Sequence, residues 1–97
     1  MPRRVVVTGV GILSPLGIGT EPSWEALRAG RSGVSRITAF DPSAFTCQIA
    51  GEIHDFSPER FIERKEIKKM GRFIQFALAA SDFATAMAGL RLTPEDA

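Results

Sequence analysis

The chain is poor in the side chains that build most metal and disulfide sites. Of its 97 residues, one is cysteine (Cys47) and one is histidine (His54). A single thiol closes no internal disulfide framework. A structural zinc site takes four ligands, mostly Cys and His, so this composition excludes one. No apolar run reaches the roughly 18 residues needed to span a bilayer. Arg3-Arg4 followed by Val5-Val6-Val7 opens as a signal peptide does. The apolar stretch breaks at Gly9 and Gly11, however, and no small-residue cleavage site follows it. A cytoplasmic location is therefore expected. Net charge is only +1, which argues against nucleic acid as a partner. With 44% hydrophobic residues, the chain is also too apolar to be disordered.

What is present reads as α/β. Residues 3–13 begin with a β-branched run that does not alternate with polar residues, as in a strand buried on both faces. Ser14-Pro15-Leu16-Gly17-Ile18-Gly19 is a loop. A helix is expected from Thr20 or Glu21, with Pro22 early, Trp24 and Leu27 as its apolar edge, and Gly30 at its end. Residues 31–45 carry turn signals and read as irregular. A second strand is expected over 46–54, with Cys47, Ile49 and Ile53 on one face and Gly51 interrupting it. Ser57-Pro58 marks the start of a short helix that leads into 64–70. A longer helix is expected from about Gly71 to Ala88, stopping at Gly89. Phe73, Phe76, Ala77, Ala80, Phe83, Ala84 and Met87 recur along it at helical spacing. Arg72, Gln75 and Asp82 interrupt an apolar surface that predicts burial on more than one side. Residues 92–97 read as a further helix or turn start.

Such a strand and helix need more neighbours than these elements supply. The expectation is a segment, residues 1–97, of a larger α/β domain with no domain boundary inside it. Alone, it would expose apolar surface and aggregate or stay molten.

Four features invite a chemical reading. Val7-Thr8-Gly9-Val10-Gly11-Ile12-Leu13-Ser14 follows a strand as a dinucleotide fingerprint does, but the third glycine position holds Ser14 and Pro15 follows. Gly9 and Gly11 then read as places of close backbone packing. Cys47, on a strand among Ile and Ala, reads as a buried, inert thiol. His54 reads as a surface histidine at a strand end. The fourth feature is charge: residues 59–72 hold six cations and three anions, net +3, while the remainder is net −2. On a continuous helix, Lys65, Lys68, Lys69 and Arg72 would share one face. Such a face steers an acidic partner or holds phosphate groups. From composition alone a solvated mixed-charge surface is the simpler reading.

Several segments, in order, resemble the condensing enzymes of fatty acid synthesis, the β-ketoacyl-(acyl carrier protein) synthases, and the synthase II group most closely. They are residues 3–17, Trp24 to Val34, Phe40-Asp41-Pro42-Ser43 and Arg64-Lys65-Glu66-Ile67-Lys68-Lys69-Met70. Type II polyketide ketosynthase subunits open similarly and are the alternative. A stand-alone basic module docking an acidic protein is a second alternative. The resemblance implies a thiolase-like, layered αβαβα fold and a homodimer. It implies decarboxylative Claisen condensation of an acyl-enzyme with malonyl-(acyl carrier protein). Substrates would ride on the carrier protein's phosphopantetheine, with no other cofactor, metal, nucleic acid or membrane. The family's catalytic Cys and two His belong to later motifs, so no catalytic residue carries over to this chain. What carries over is the basic segment: by motif position Lys65, Lys68 and Lys69, with Arg64 nearby, would contact the acidic carrier protein.

Overall fold

The computed structural model describes residues 2–90, so the turn or helix start expected over 92–97 lies outside the described residues. The chain forms two compact units. One is Ile12–Ser57; the other joins the residues up to Gly11 with those from Pro58 onward.

The Ile12–Ser57 unit begins with a minimal hairpin. Strand β1 (Leu13–Ser14) pairs antiparallel with β2 (Gly17–Ile18) around the Pro15-Leu16 turn. Helix α1 (Thr20–Arg28) follows at once, with Gly19 in the N-cap position. Pro22 falls in the first turn, where an amide has no intrahelical acceptor to lose. Gly30 ends the helix in the left-handed region, at φ 74, as the sequence implied. The buried face differs from the expectation. Ser23 and Ala26 are buried, whereas Trp24 and Leu27 are more than half exposed. The cause is polar: the Ser23 and Ser14 hydroxyls lie 2.7 Å apart, and Ser23 Oγ donates to the Gly17 carbonyl at 3.0 Å. These bonds turn the serine face of α1 onto the hairpin.

The stretch expected to be irregular supplies a strand. Strand β3 (Val34–Arg36) pairs antiparallel with β4 (Ile49–Gly51), Val34 opposite Gly51 and Arg36 opposite Ile49. The expected strand over 46–54 is thus shortened to three residues. The intervening loop is tied down by side chains. Glu52 Oε1 accepts from the Thr38 amide (2.9 Å) and hydroxyl (3.0 Å), and its Oε2 accepts from the Ala39 amide (3.1 Å). Asp41 accepts from the Ser43 hydroxyl (2.6 Å) and amide (3.1 Å). Phe40 and Phe45 meet edge to face at 5.6 Å. Beyond β4 the chain bends at Asp55, which adopts φ 60.

In the other unit, residues 2–11 make no strand ladder among the described residues, and Val5, Val6 and Val7 are 91%, 70% and 83% exposed. The strand expected to be buried on both faces therefore stands open: its β-branched pattern is present, but no described strand flanks it. Its far end is held by helix α3 (Arg72–Ala88). A Cβ built on Gly11 would overlap the Ala80 carbonyl oxygen and lie 2.9 Å from the Ala84 nitrogen. One built on Gly9 would overlap the Ala84 carbonyl oxygen and lie 2.8 Å from the Ala88 nitrogen. Close backbone packing, the reading preferred for these glycines, is what the structure shows. The Val10 amide also donates to Met87 Sδ at 3.4 Å.

Pro58–Arg60 forms a 3-10 turn where a short helix was expected. Ile62 is buried behind it, and Phe61 meets Phe83 of α3 edge to face at 5.2 Å. Helix α2 is a single turn, Arg64–Ile67. Helix α3 has Gly71 as its N-cap and ends at Gly89, φ 72, close to the expected bounds. Burial on several sides is not realised among the described residues. Ala79 and Gln75 are buried, but Phe73 and Met87 are more than half exposed.

Candidate functional site

The basic segment is not one helix. Glu63 opens α2 with its carbonyl accepting the amides of Glu66 (2.9 Å) and Ile67 (3.2 Å). Lys68 is the C-cap, still helical at φ −64 and ψ −19. The Lys69 amide then donates to Glu66 O (3.0 Å) and the Met70 amide to Ile67 O (3.1 Å), closing a tight turn. Gly71 swings out to φ −72 and ψ 163 before α3 begins. This break corrects the expectation that Lys65, Lys68, Lys69 and Arg72 share one helix face. The i, i+3, i+4, i+7 relation does not survive a change of axis at residues 68–71.

What results is a bent knuckle of cations. Arg64, Lys65, Lys68 and Lys69 are all exposed. Lys65 Nζ lies 3.8 Å from Glu63, and Lys69 Nζ lies 3.6 Å from Glu66. Arg64 and Lys68 make no ion pair among the described residues. Two further cations rest on rings: Arg60 sits 5.5 Å from the Phe61 centroid and Arg72 5.0 Å from that of Phe76. Exposed ion pairs such as those of Lys65 and Lys69 contribute only about 0–1 kcal/mol. They are easily exchanged for an incoming carboxylate or phosphate.

The sequence reading passed over one member of this site. Gln75, treated there as an interruption of an apolar surface, is 8% exposed. Its Nε2 donates to Met70 O at 3.2 Å and more weakly to Ile67 O at 3.5 Å. A glutamine one turn into an apolar helix, four residues after its glycine N-cap, was the available signal. The last carbonyls of the preceding turn need donors, and Gln75 is placed to supply them.

The other singled-out residues form no site. Cys47 is exposed, against the expectation of burial, with Sγ 3.5 Å from the Ile49 carbonyl. It lies ahead of the three-residue strand β4 instead of inside a long one. His54 is exposed, with Nε2 4.0 Å from Glu52. Among the described residues no three His, Cys, Asp or Glu side chains gather as a metal would need. An open groove of about 290 Å³, lined by Ile12, Leu16, Trp24 and Leu27 among others, brings no titratable group together. No helix among the described residues is long and apolar enough to cross a membrane.

Comparison with known proteins identifies the family. The model of the β-ketoacyl synthase N-terminal domain matches residues 2–97. The chain is 45% identical over 95 residues to 3-oxoacyl-(acyl-carrier-protein) synthase 2 of Coxiella burnetii, and 44% identical over 95 residues to the synthase 2 of Vibrio cholerae. It is 43% identical over 97 residues to a putative polyketide β-ketoacyl synthase 1 of Streptomyces halstedii. These matches cover 98–99% of this chain and 23% of each relative. Among solved structures, the ishigamide ketosynthase/chain length factor superposes with a TM-score of 0.81 at 46% identity. That match covers 97% of this chain and 23% of the other. The chain belongs to the β-ketoacyl synthase family. Its fold class is α/β and thiolase-like, as the sequence resemblance implied. It spans about a quarter of the length of the relatives it matches.

Proposed function

We propose that this chain is the N-terminal segment of a fatty-acid-elongating 3-oxoacyl-(acyl carrier protein) synthase, and that its own contribution is a docking surface for the carrier protein. In the intact protein an acyl-enzyme condenses with malonyl-(acyl carrier protein), with loss of CO2. The catalytic groups of that reaction lie outside this chain. We place the intact protein in the cytoplasm as a homodimer that needs no cofactor of its own. The observation that carries the docking assignment is the knuckle of exposed cations at Arg64, Lys65, Lys68 and Lys69, in a chain of otherwise slightly negative charge. Clustered cations raise the encounter rate with an acidic protein and fix its register. The identity to the Streptomyces halstedii protein and to the ishigamide ketosynthase favours one second reading. In it the same surface serves a polyketide carrier protein.

The test is charge reversal of Lys65, Lys68 and Lys69 to Glu in the full-length enzyme. At low salt and limiting carrier protein, KM for the carrier-bound substrate should rise by about tenfold or more. The difference should shrink as ionic strength shortens the screening length. Unchanged turnover under those conditions would overturn the docking assignment.

A further inference from the structure

Four cations on one knuckle act as a docking surface only if their backbone is held still. Helix α2 is one turn long, far below the length at which a helix is stable by itself. Its N-cap residue, Glu63, makes no side-chain capping bond. The ion pairs of Lys65 and Lys69 are with Glu63 and Glu66 of the same short segment, so they tie the knuckle to itself and not to α3. The turn at 68–70 is closed by backbone bonds, but those too are internal.

Gln75 differs from all of these. It sits on α3, a helix of 17 residues, and its own amide is anchored to Gly71 O at 3.2 Å. Its side chain reaches back chiefly to the Met70 carbonyl, near the end of the turn, and more weakly to that of Ile67, which already accepts the Met70 amide. Because both neighbours are carbonyl oxygens, the amide group must present its NH2 end to them. Partial burial makes the contact selective: a donor lost here leaves the Met70 carbonyl without its side-chain partner.

We propose that Gln75 is a positioning residue for carrier-protein docking: its Nε2–H bonds clamp the Ile67–Met70 turn onto α3 and so fix where Lys68 and Lys69 stand. It touches neither partner nor reacting atoms. Without the clamp the knuckle samples other arrangements, and binding must order it again. Ordering of loop and side chains costs affinity even when every charge is retained. This inference rests on the docking assignment above.

The experiment uses the full-length enzyme with Gln75→Met, which keeps side-chain volume and removes the donors. Gln75→Leu, which is one heavy atom shorter and also lacks a donor, is the second variant. Each is assayed with an acyl group on carrier protein and with the same acyl group on free pantetheine. The expected result is a KM for the carrier-bound substrate raised about 3- to 10-fold in both variants. The kcat and the turnover of the pantetheine thioester should stay at the parent level. A change in KM below about twofold in both variants would refute the clamp. So would a parallel loss of activity on both substrates, or failure of both variants to yield folded enzyme, since either outcome assigns Gln75 to stability alone. Lys68→Glu is run alongside. If it too leaves KM unmoved, the docking assignment itself fails. If it raises KM while the Gln75 variants do not, only the clamp fails.

Discussion

Gly11→Ala isolates the contact between the first segment and α3. The added Cβ would overlap the Ala80 carbonyl oxygen and sit 2.8 Å from the Ala80 carbonyl carbon and 2.9 Å from the Ala84 nitrogen. All three atoms are helix backbone, so no rotamer change relieves the overlap. The segment must lift away, and Gly9, seated two residues earlier against Ala84 and Ala88, lifts with it. Overpacking against side chains typically costs 1–3 kcal/mol, so about 2–4 kcal/mol is expected for this backbone clash. Gly30→Ala is the comparison. Nothing lies within 4 Å of a Cβ there, but φ is +74, so only torsional strain of about 1 kcal/mol is expected. Urea unfolding of the full-length protein, followed by circular dichroism, gives both values. Adding Ala80→Gly to Gly11→Ala should recover nothing, because the obstructing atom is a carbonyl oxygen and not the Ala80 methyl. Three outcomes would refute the reasoning: a Gly11→Ala cost below about 0.5 kcal/mol, a Gly30→Ala cost equal to it, or rescue by the double variant.

Two smaller tests concern the Ile12–Ser57 unit. Glu52 has its carboxyl pKa lowered, first by the Thr38 amide, then by the Ala39 amide and the Thr38 hydroxyl, with a contribution from His54. A lowered folded-state pKa gives stability that is present above the ordinary glutamate value and lost as pH falls through the folded value. Glu52→Gln should therefore flatten the acid limb of a stability–pH profile, leaving the share due to Asp41, which Ser43 lowers in the same way. An unaltered acid limb counts against the clamp on residues 38–39. Ser23→Ala removes the hydroxyl that bonds Ser14 Oγ and Gly17 O. It should cost about 1–2 kcal/mol in urea melts, and a neutral substitution would mean that apolar packing alone seats α1.

Features set by local chemistry were legible in the sequence. Pro22 and Gly30 bracket α1, and Gly71 and Gly89 bracket α3, because N-terminal turns tolerate a missing amide and C-terminal caps need φ above zero. The glycine pair at 9 and 11 was legible as close packing once the dinucleotide pattern failed at Ser14. What depends on partners far along the chain was not. Val34–Arg36 is exposed throughout, so no apolar alternation marks it, and only its pairing with Ile49–Gly51 makes it a strand. Trp24 looked like the core edge of α1, yet the serine bonds to the β1–β2 hairpin turn it outward. The basic segment was legible as charge but not as shape. Lys68, Lys69 and Met70 are good helix formers, and the axis changes where Gly71 turns extended, a break that charge and propensity do not announce. Gln75 was visible as an oddity, but its role needs the Met70 carbonyl in place.

The Gly9 and Gly11 contact also has a consequence for synthesis. The segment leaves the ribosome ahead of the helix it packs against, which is made about 70 residues later. At about 5–20 residues per second, that leaves a wait of roughly 4 to 14 seconds. Through that interval, and after α3 has packed on Gly9 and Gly11, Val5-Val6-Val7 stays exposed, a β-prone run of the kind that pairs with the same run on a neighbouring nascent chain. Arg3 and Arg4, exposed directly ahead of it, put two like charges where such pairing would bring them together. In the folded chain they precede an exposed β-branched run; on the growing chain they act as its gatekeepers.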